Sequence, residues 1–173
     1  MRNGRKHKVA VSVGGVLGGL VGTAAMQKAM GLSQKLPEPL RMPEMARDPG
    51  DYVVSRVEGL AGGPLRPETH ARAARAMRWA YGLAWAGALA ALARRLRMHR
   101  PVNAVAAGAA MGALNFAAGY FGWLPRTGLT KPVKRERSSR TAVALLGHVL
   151  YGVLAAAPIY AAEKMYRRRR RLF

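Results

Sequence analysis

The chain contains no cysteine, and acidic residues number only 8 among its 173. Without a thiol there is no disulfide framework, no thiolate metal site and no cysteine nucleophile. Against 29 Lys and Arg the shortage of acid leaves a net charge of +21, a balance that fits nucleic-acid binding, a membrane location or a basic soluble domain. The usual instruments of catalysis are missing as well. The apolar stretches hold no paired carboxylates, no His/Asp/Glu cluster has metal-ligand spacing, and no Gly-x-x-x-x-Gly-Lys phosphate loop occurs. The residues therefore predict no enzyme, no catalytic group, no cofactor and no metal site.

Charge is also absent locally, and that decides the class. Uncharged runs cover residues 9–27, 79–93, 101–125 and 141–162, while basic residues crowd into the tails and connectors. A bilayer core of about 30 Å needs roughly 20 mostly apolar helical residues. The second run is short, but Ala73, Ala74, Ala76, Met77 and Leu96 extend it. Arg78, Arg94 and Arg95 at its ends can carry their charges outward to the headgroups. A core helix of a soluble bundle would pair an apolar stripe with a polar face. That face is missing, because Ser12, Asn103 and Asn115 are too few and scattered to build one. The prediction is an all-α integral membrane bundle of about four transmembrane helices, near 9–28, 74–96, 101–124 and 141–163 within a membrane domain of 9–163. Basic tails at 1–8 and 164–173 flank it. The first run, closing on Gly22-Thr23-Ala24-Ala25, also resembles a secretory signal, but it is long and glycine-rich for one and is read as a retained span.

The connector over 29–73 opens with Leu36-Pro37-Glu38-Pro39 and Pro43, which favour an extended segment. Asp48-Pro49 then signals a helix start, with Tyr52, Val53 and Val57 towards one side, and Gly62-Gly63-Pro64 stops it. Pro67 begins the next helix, in which Arg72, Arg75 and Arg78 recur at three-residue spacing and are assigned to the lipid phosphate layer. The terminal run Arg167, Arg168, Arg169, Arg170 and Arg171 follows a membrane helix directly, so it is assigned to topology and anionic lipid. Nucleic acid is not expected as a partner, since no base-reading or stacking surface accompanies the charge. Even span number puts both termini on one side. The dense short clusters there favour the cytoplasm.

Small residues recur at helical spacing. Gly14, Gly18 and Gly22 line one face of the first span, Ala104, Gly108 and Gly112 one face of the third, and Gly152 with Ala156 one face of the fourth. Missing side chains let another helix approach closely, first within the chain and second in a homo-oligomer. Two polar residues stand apart from this packing. Asn115 lies near the middle of the third span and His148 about seven residues into the fourth, so antiparallel neighbours bring them to similar depth as a candidate hydrogen-bonded pair.

Tyr81-Gly82, Gly119-Tyr120-Phe121-Gly122-Trp123-Leu124-Pro125, Gly128-Leu129 and Gly147-His148-Val149-Leu150-Tyr151-Gly152 resemble the YagU-like family of uncharacterised bacterial inner-membrane proteins. The first span and the proline-rich connector fit the same layout. The sequence departs from the pattern at Arg78, where a histidine is expected before the Tyr-Gly pair, leaving His148 alone. The resemblance implies a multi-span protein of the bacterial plasma membrane and no activity. The functional expectation is a non-enzymatic membrane protein acting through helix packing, as an oligomer or accessory subunit. The alternative is a small transporter or proton-linked channel using His148 and Asn115.

Overall fold

The computed structural model describes residues 2–171, with side chains for 7–168. It is all-helical, without a strand among the described residues. Helix α1 spans Arg2–Ser33, α2 Pro49–Ala61, α3 Pro67–Leu92 and α4 Pro101–Ala117. A π-helical turn, Ala118–Trp123, and the single turn α5, Leu124–Arg126, close the third apolar run, and α6 spans Ser138–Arg171. Short 3-10 turns occupy Glu38–Leu40 and Val133–Arg135.

Three helices are long and apolar enough to cross a membrane: His7–Ser33, Pro101–Arg126 and Ser138–Arg168. The expected count of about four is therefore met by three on length and composition. Helix α3 falls short because its first half carries His70, Arg72, Arg75 and Arg78 before the uncharged run begins. The third run also ends differently from a plain helix. Gly122, with φ −97° and ψ −107°, leaves helical geometry inside the π turn, where the lack of a Cβ permits the break.

Local chemistry accounts for the connector. Asp48 Oδ1 accepts from the backbone N–H groups of Gly50 (2.9 Å) and Asp51 (3.1 Å), capping α2, and Pro49 supplies the fixed φ of the first helical position. Gly62 ends α2 at φ 84°, in the left-handed region. Arg140 is buried and donates to the Met42 carbonyl (3.2 Å). It thereby fastens the connector to the start of α6.

The long helices join at side-chain-free seams. A Cβ at Gly14 would meet the Pro158 carbonyl, one at Gly18 the Ala155 carbonyl, and one at Gly22 the Tyr151 ring. These pairs run in opposite directions, so α1 and α6 are antiparallel. Likewise Gly108 abuts Gly152 and Gly112 abuts the His148 carbonyl, which sets α4 antiparallel to α6. Gly15 against Ala90 and Gly19 against Leu83 set α3 antiparallel to α1. The lateral order is thus α3, α1, α6, α4. Where α3 and α4 meet, a Tyr81–Asn115 hydrogen bond spans the join. Outward faces are apolar: Val13 and Leu17 on α1, Val102 and Leu114 on α4, and Leu146 and Leu150 on α6 are exposed. Lipid tails are the solvent such faces suit.

Gly112→Ala is expected to lose about 1–3 kcal/mol, because its Cβ overlaps backbone that cannot rotate away. Gly31→Ala, with nothing within 4 Å, is expected to be neutral or to gain about 0.5–1 kcal/mol. Thermal unfolding of both variants in detergent checks this, and equal stabilities would remove the seam from the account.

Candidate functional site

Because the seams draw α1 and α4 onto α6 while α3 is held mainly by α1, space remains between α3 and α4 beneath the connector. It forms a cavity of about 510 Å³. Such a volume suits a small organic ligand. Asn115 and His148 both line it, together with Tyr81, Tyr151 and Thr23. The two polar residues singled out from sequence are therefore brought to one space, yet each bonds elsewhere. Tyr81 OH donates to Asn115 Oδ1 at 2.8 Å, and His148 Nδ1 donates to the Ala144 carbonyl at 2.8 Å. A carbonyl only accepts, so Nδ1 carries the hydrogen and Nε2 is the ring atom left for a further partner. Phe116 and Tyr120 hold the imidazole edgewise, with centroids 5.6 and 5.8 Å away. Tyr151 OH donates to the Gly82 carbonyl (2.7 Å) at the inner end, where Thr23 Oγ1 is buried without a partner among the described residues.

The lining is soft as well as polar. Met26, Met30, Met42, Met45 and Met77, five of the chain's nine methionines, surround the cavity. Flexible thioethers fill irregular space and adapt to varied apolar shapes. Two charged groups at the mouth are paired: Arg78 Nη1 bonds Asp48 Oδ2 at 2.9 Å, and Glu44 Oε1 lies 3.5 Å from Nη2 of Arg140 behind it. What the cavity can do is bind an apolar body bearing a hydrogen-bonding group. Among the described residues no group of three or more His, Cys, Asp or Glu is placed to hold a metal ion.

The other residues picked out from sequence fall into separate places. Gly14, Gly18, Gly22, Gly108, Gly112 and Gly152 lie in the intrachain seams described above. Arg72 and Arg75 are exposed on α3, but Arg78 is tied to Asp48 and so serves as a strut to α2. Arg167 and Arg168 are exposed near the end of α6, and the side chains of Arg169, Arg170 and Arg171 lie outside the described residues. The sequence reading passed over Tyr81, Tyr151, Thr23 and the methionines. A signal existed for Tyr81 and Tyr151, since a tyrosine inside an uncharged run must satisfy its hydroxyl. No family model, curated protein or solved structure matches the chain.

A charge clamp outside the apolar runs holds the cavity's outer wall. His70 on α3 bonds Glu58 Oε1 through Nδ1 (2.8 Å) and Asp51 Oδ1 through Nε2 (2.6 Å), both on α2. Each carboxylate only accepts, so both ring nitrogens donate and the geometry is that of the imidazolium. The bond to Glu58, then that to Asp51, raises the His70 pKa above 6.5. Asp51 is lowered first by its bond to Arg47 and then by His70, and Glu58 first by His70 and then by the Leu65 N–H. The signs are opposite. The histidine's contribution is full below 6.5 and is lost as pH rises through its raised value. The carboxylates' contributions are full above 4.5 and are lost as pH falls through their lowered values.

The clamp is accordingly tightest between 4.5 and 6.5. Amide exchange in α2, corrected for intrinsic rate, is expected to quicken from about pH 6 to about pH 9. His70→Gln should flatten that dependence. An unchanged slope in the variant would show that the clamp does not govern α2.

Proposed function

We propose that this chain is a four-span, non-enzymatic protein of the bacterial plasma membrane that binds and passes a small solute through the cavity between α3 and α4. Three helices with the length and apolarity of membrane spans support the location. Support for α3 as the fourth span comes from its register: Gly15 against Ala90 and Gly19 against Leu83 lay its uncharged run along the apolar part of α1. The resemblance to the YagU-like family belongs to the same proposal, as does a cytoplasmic position for both termini. The observation that carries the function is the convergence of Asn115, His148, Tyr81 and Tyr151 on one cavity between apolar helices. A pure packing protein would bury such groups in a dry seam. The solute class follows from the lining: thioethers and aromatic rings for an apolar body, and His148 Nε2 for one hydrogen-bond donor.

A packing role as oligomer or accessory subunit is the second reading. It is weakened by the use of the glycine rows inside the chain, which leaves the exposed apolar faces as the remaining contact surface.

Membrane insertion and topology come first in the tests. The protein should stay with membranes through alkaline carbonate and high salt, since apolar burial rather than charge retains it. Single cysteines at the exposed positions Gln34 and Ser138 should label from outside and those at Arg95 and Leu172 should not. Release by salt defeats insertion, and a split between Arg95 and Leu172 defeats the four-span layout.

The cavity is tested in the same cysteine-free background. Asn115→Cys should react with a small water-soluble methanethiosulfonate in intact membranes, whereas Ala155→Cys in the α1–α6 seam should not. Silence at Asn115 would return the protein to the packing reading. Tyr81→Phe should cost about 1 kcal/mol by stranding the Asn115 carbonyl. His148→Asn should keep the fold, because among the described residues the imidazole's only hydrogen bond is to its own helix. Loss of the cellular phenotype of the deletion in a fully stable His148→Asn protein would show a titrating role for the ring.

A further inference from the structure

A second cavity, of about 930 Å³, opens at the other end of the bundle between α1, α3 and α6. Its inner part is apolar, formed by Val11 and Val16 of α1 and Leu83, Ala90 and Ala91 of α3. Its rim is cationic, with Lys8, Arg94 and Arg167. Lys8 of α1 and Arg94, just past the end of α3, both line this rim. Neither has an acidic partner among the described residues. The one acid in the lining, Glu163, is 1% exposed and already engaged, with His7 Nε2 at 2.8 Å and Arg167 Nε at 3.8 Å. Two cations without an acidic partner thus share one rim, beside apolar matter that weakens screening. A bound anion would relieve that repulsion.

From this geometry we infer that the cleft is a binding site for an anionic phospholipid, with its phosphate between Lys8 and Arg94 and an acyl chain along the apolar floor. The shape matches the ligand. From Lys8 to Val16 the cleft descends about 12 Å along α1, the depth of most of one leaflet's hydrocarbon. A free phosphate would leave that floor unused, and a neutral lipid would leave the two cations unpaired. Lys8 and Arg94 are exposed and hold no other element in place, so their charge serves the cleft and not the fold. The inference rests on the membrane reading but not on the solute cavity at the other end.

The test uses the full chain in mild detergent, with thermal stability and native mass spectrometry as readouts. Phosphatidylglycerol should raise the melting temperature and appear as a retained adduct. Phosphatidylcholine and inorganic phosphate should do neither. Lys8→Gln with Arg94→Gln should weaken apparent affinity for phosphatidylglycerol about thirty-fold, from two interfacial charges. The same double variant without lipid should melt no lower than the parent, since it also removes the repulsion between the two cations. A tail variant with Arg168, Arg169, Arg170 and Arg171 each changed to Gln should keep the adduct. Equal stabilisation by inorganic phosphate would make the site a phosphate site and overturn the lipid. Loss of the effect in the tail variant, or its survival in the double variant, would overturn the cleft. Carbonate extraction of the same variants keeps failure of the lipid site distinct from failure of the membrane reading.

Discussion

Backbone-to-backbone approach along both flanks of α6 is the constraint on which the other features depend. In lipid there is no hydrophobic gain in bringing two apolar helices together, so association relies on dispersion and weak Cα–H contacts at short range. Only helices stripped of side chains at the contact come close enough. Gly14 and Gly18 do this for α1 against α6, and Gly108, Gly112 and Gly152 do it for α4 against α6. Helix α3 reaches α1 through Gly15, Gly19 and Gly82 but crosses to α4 by the Tyr81–Asn115 hydrogen bond. The bundle is consequently tight on one side and hollow on the other. The cavity is a consequence of which helices carry glycine.

That hollow is closed from above by a connector whose order comes from charge. Asp48 caps α2 and bonds Arg78, His70 joins α2 to α3 through two carboxylates, and Arg140 holds the Met42 carbonyl. Apart from the buried Arg140, these are exposed or half-buried ionic contacts, individually weak against water. They hold by number and by placement. Met42 of the connector is also buried against Phe116, Tyr120 and Leu124, with Met45 and Tyr52 packed beside it, and both methionines line the cavity.

Much of this was legible in the residues and some was not. The uncharged runs gave the helical class, and the Asp48-Pro49 and Gly62 signals marked α2 because capping is local chemistry. The count of spans was less secure. The arginines of α3 lower its hydropathy whichever side of the interface they occupy, and only its register against α1 speaks for it. Asn115 and His148 stood out as polar groups in apolar runs, but their partners were beyond reach. A partner depends on helix rotation, which no spacing rule determines when glycine lies on two adjacent faces of α1, as at Gly14 and Gly15. Glu163 was hidden for another reason. As the first acid after an apolar run it read only as the last residue of the fourth span, whereas the antiparallel register of α1 lays His7 against it and buries it.

The two cavities enter from opposite ends and stop short of each other. Along α1 the basic cleft reaches Val16 and the solute cavity begins at Thr23. Those positions are about 10 Å apart on a helix axis. Between them lie the contact of Gly19 with Leu83 and the hydrogen bond from Tyr151 to the Gly82 carbonyl. The barrier is therefore one layer of side chains supported by a glycine seam, much thinner than a bilayer core. Gly19 offers no side chain to interlock with Leu83, and the Tyr151 bond is made to backbone, so a small slide of α3 along α1 would disturb both at once.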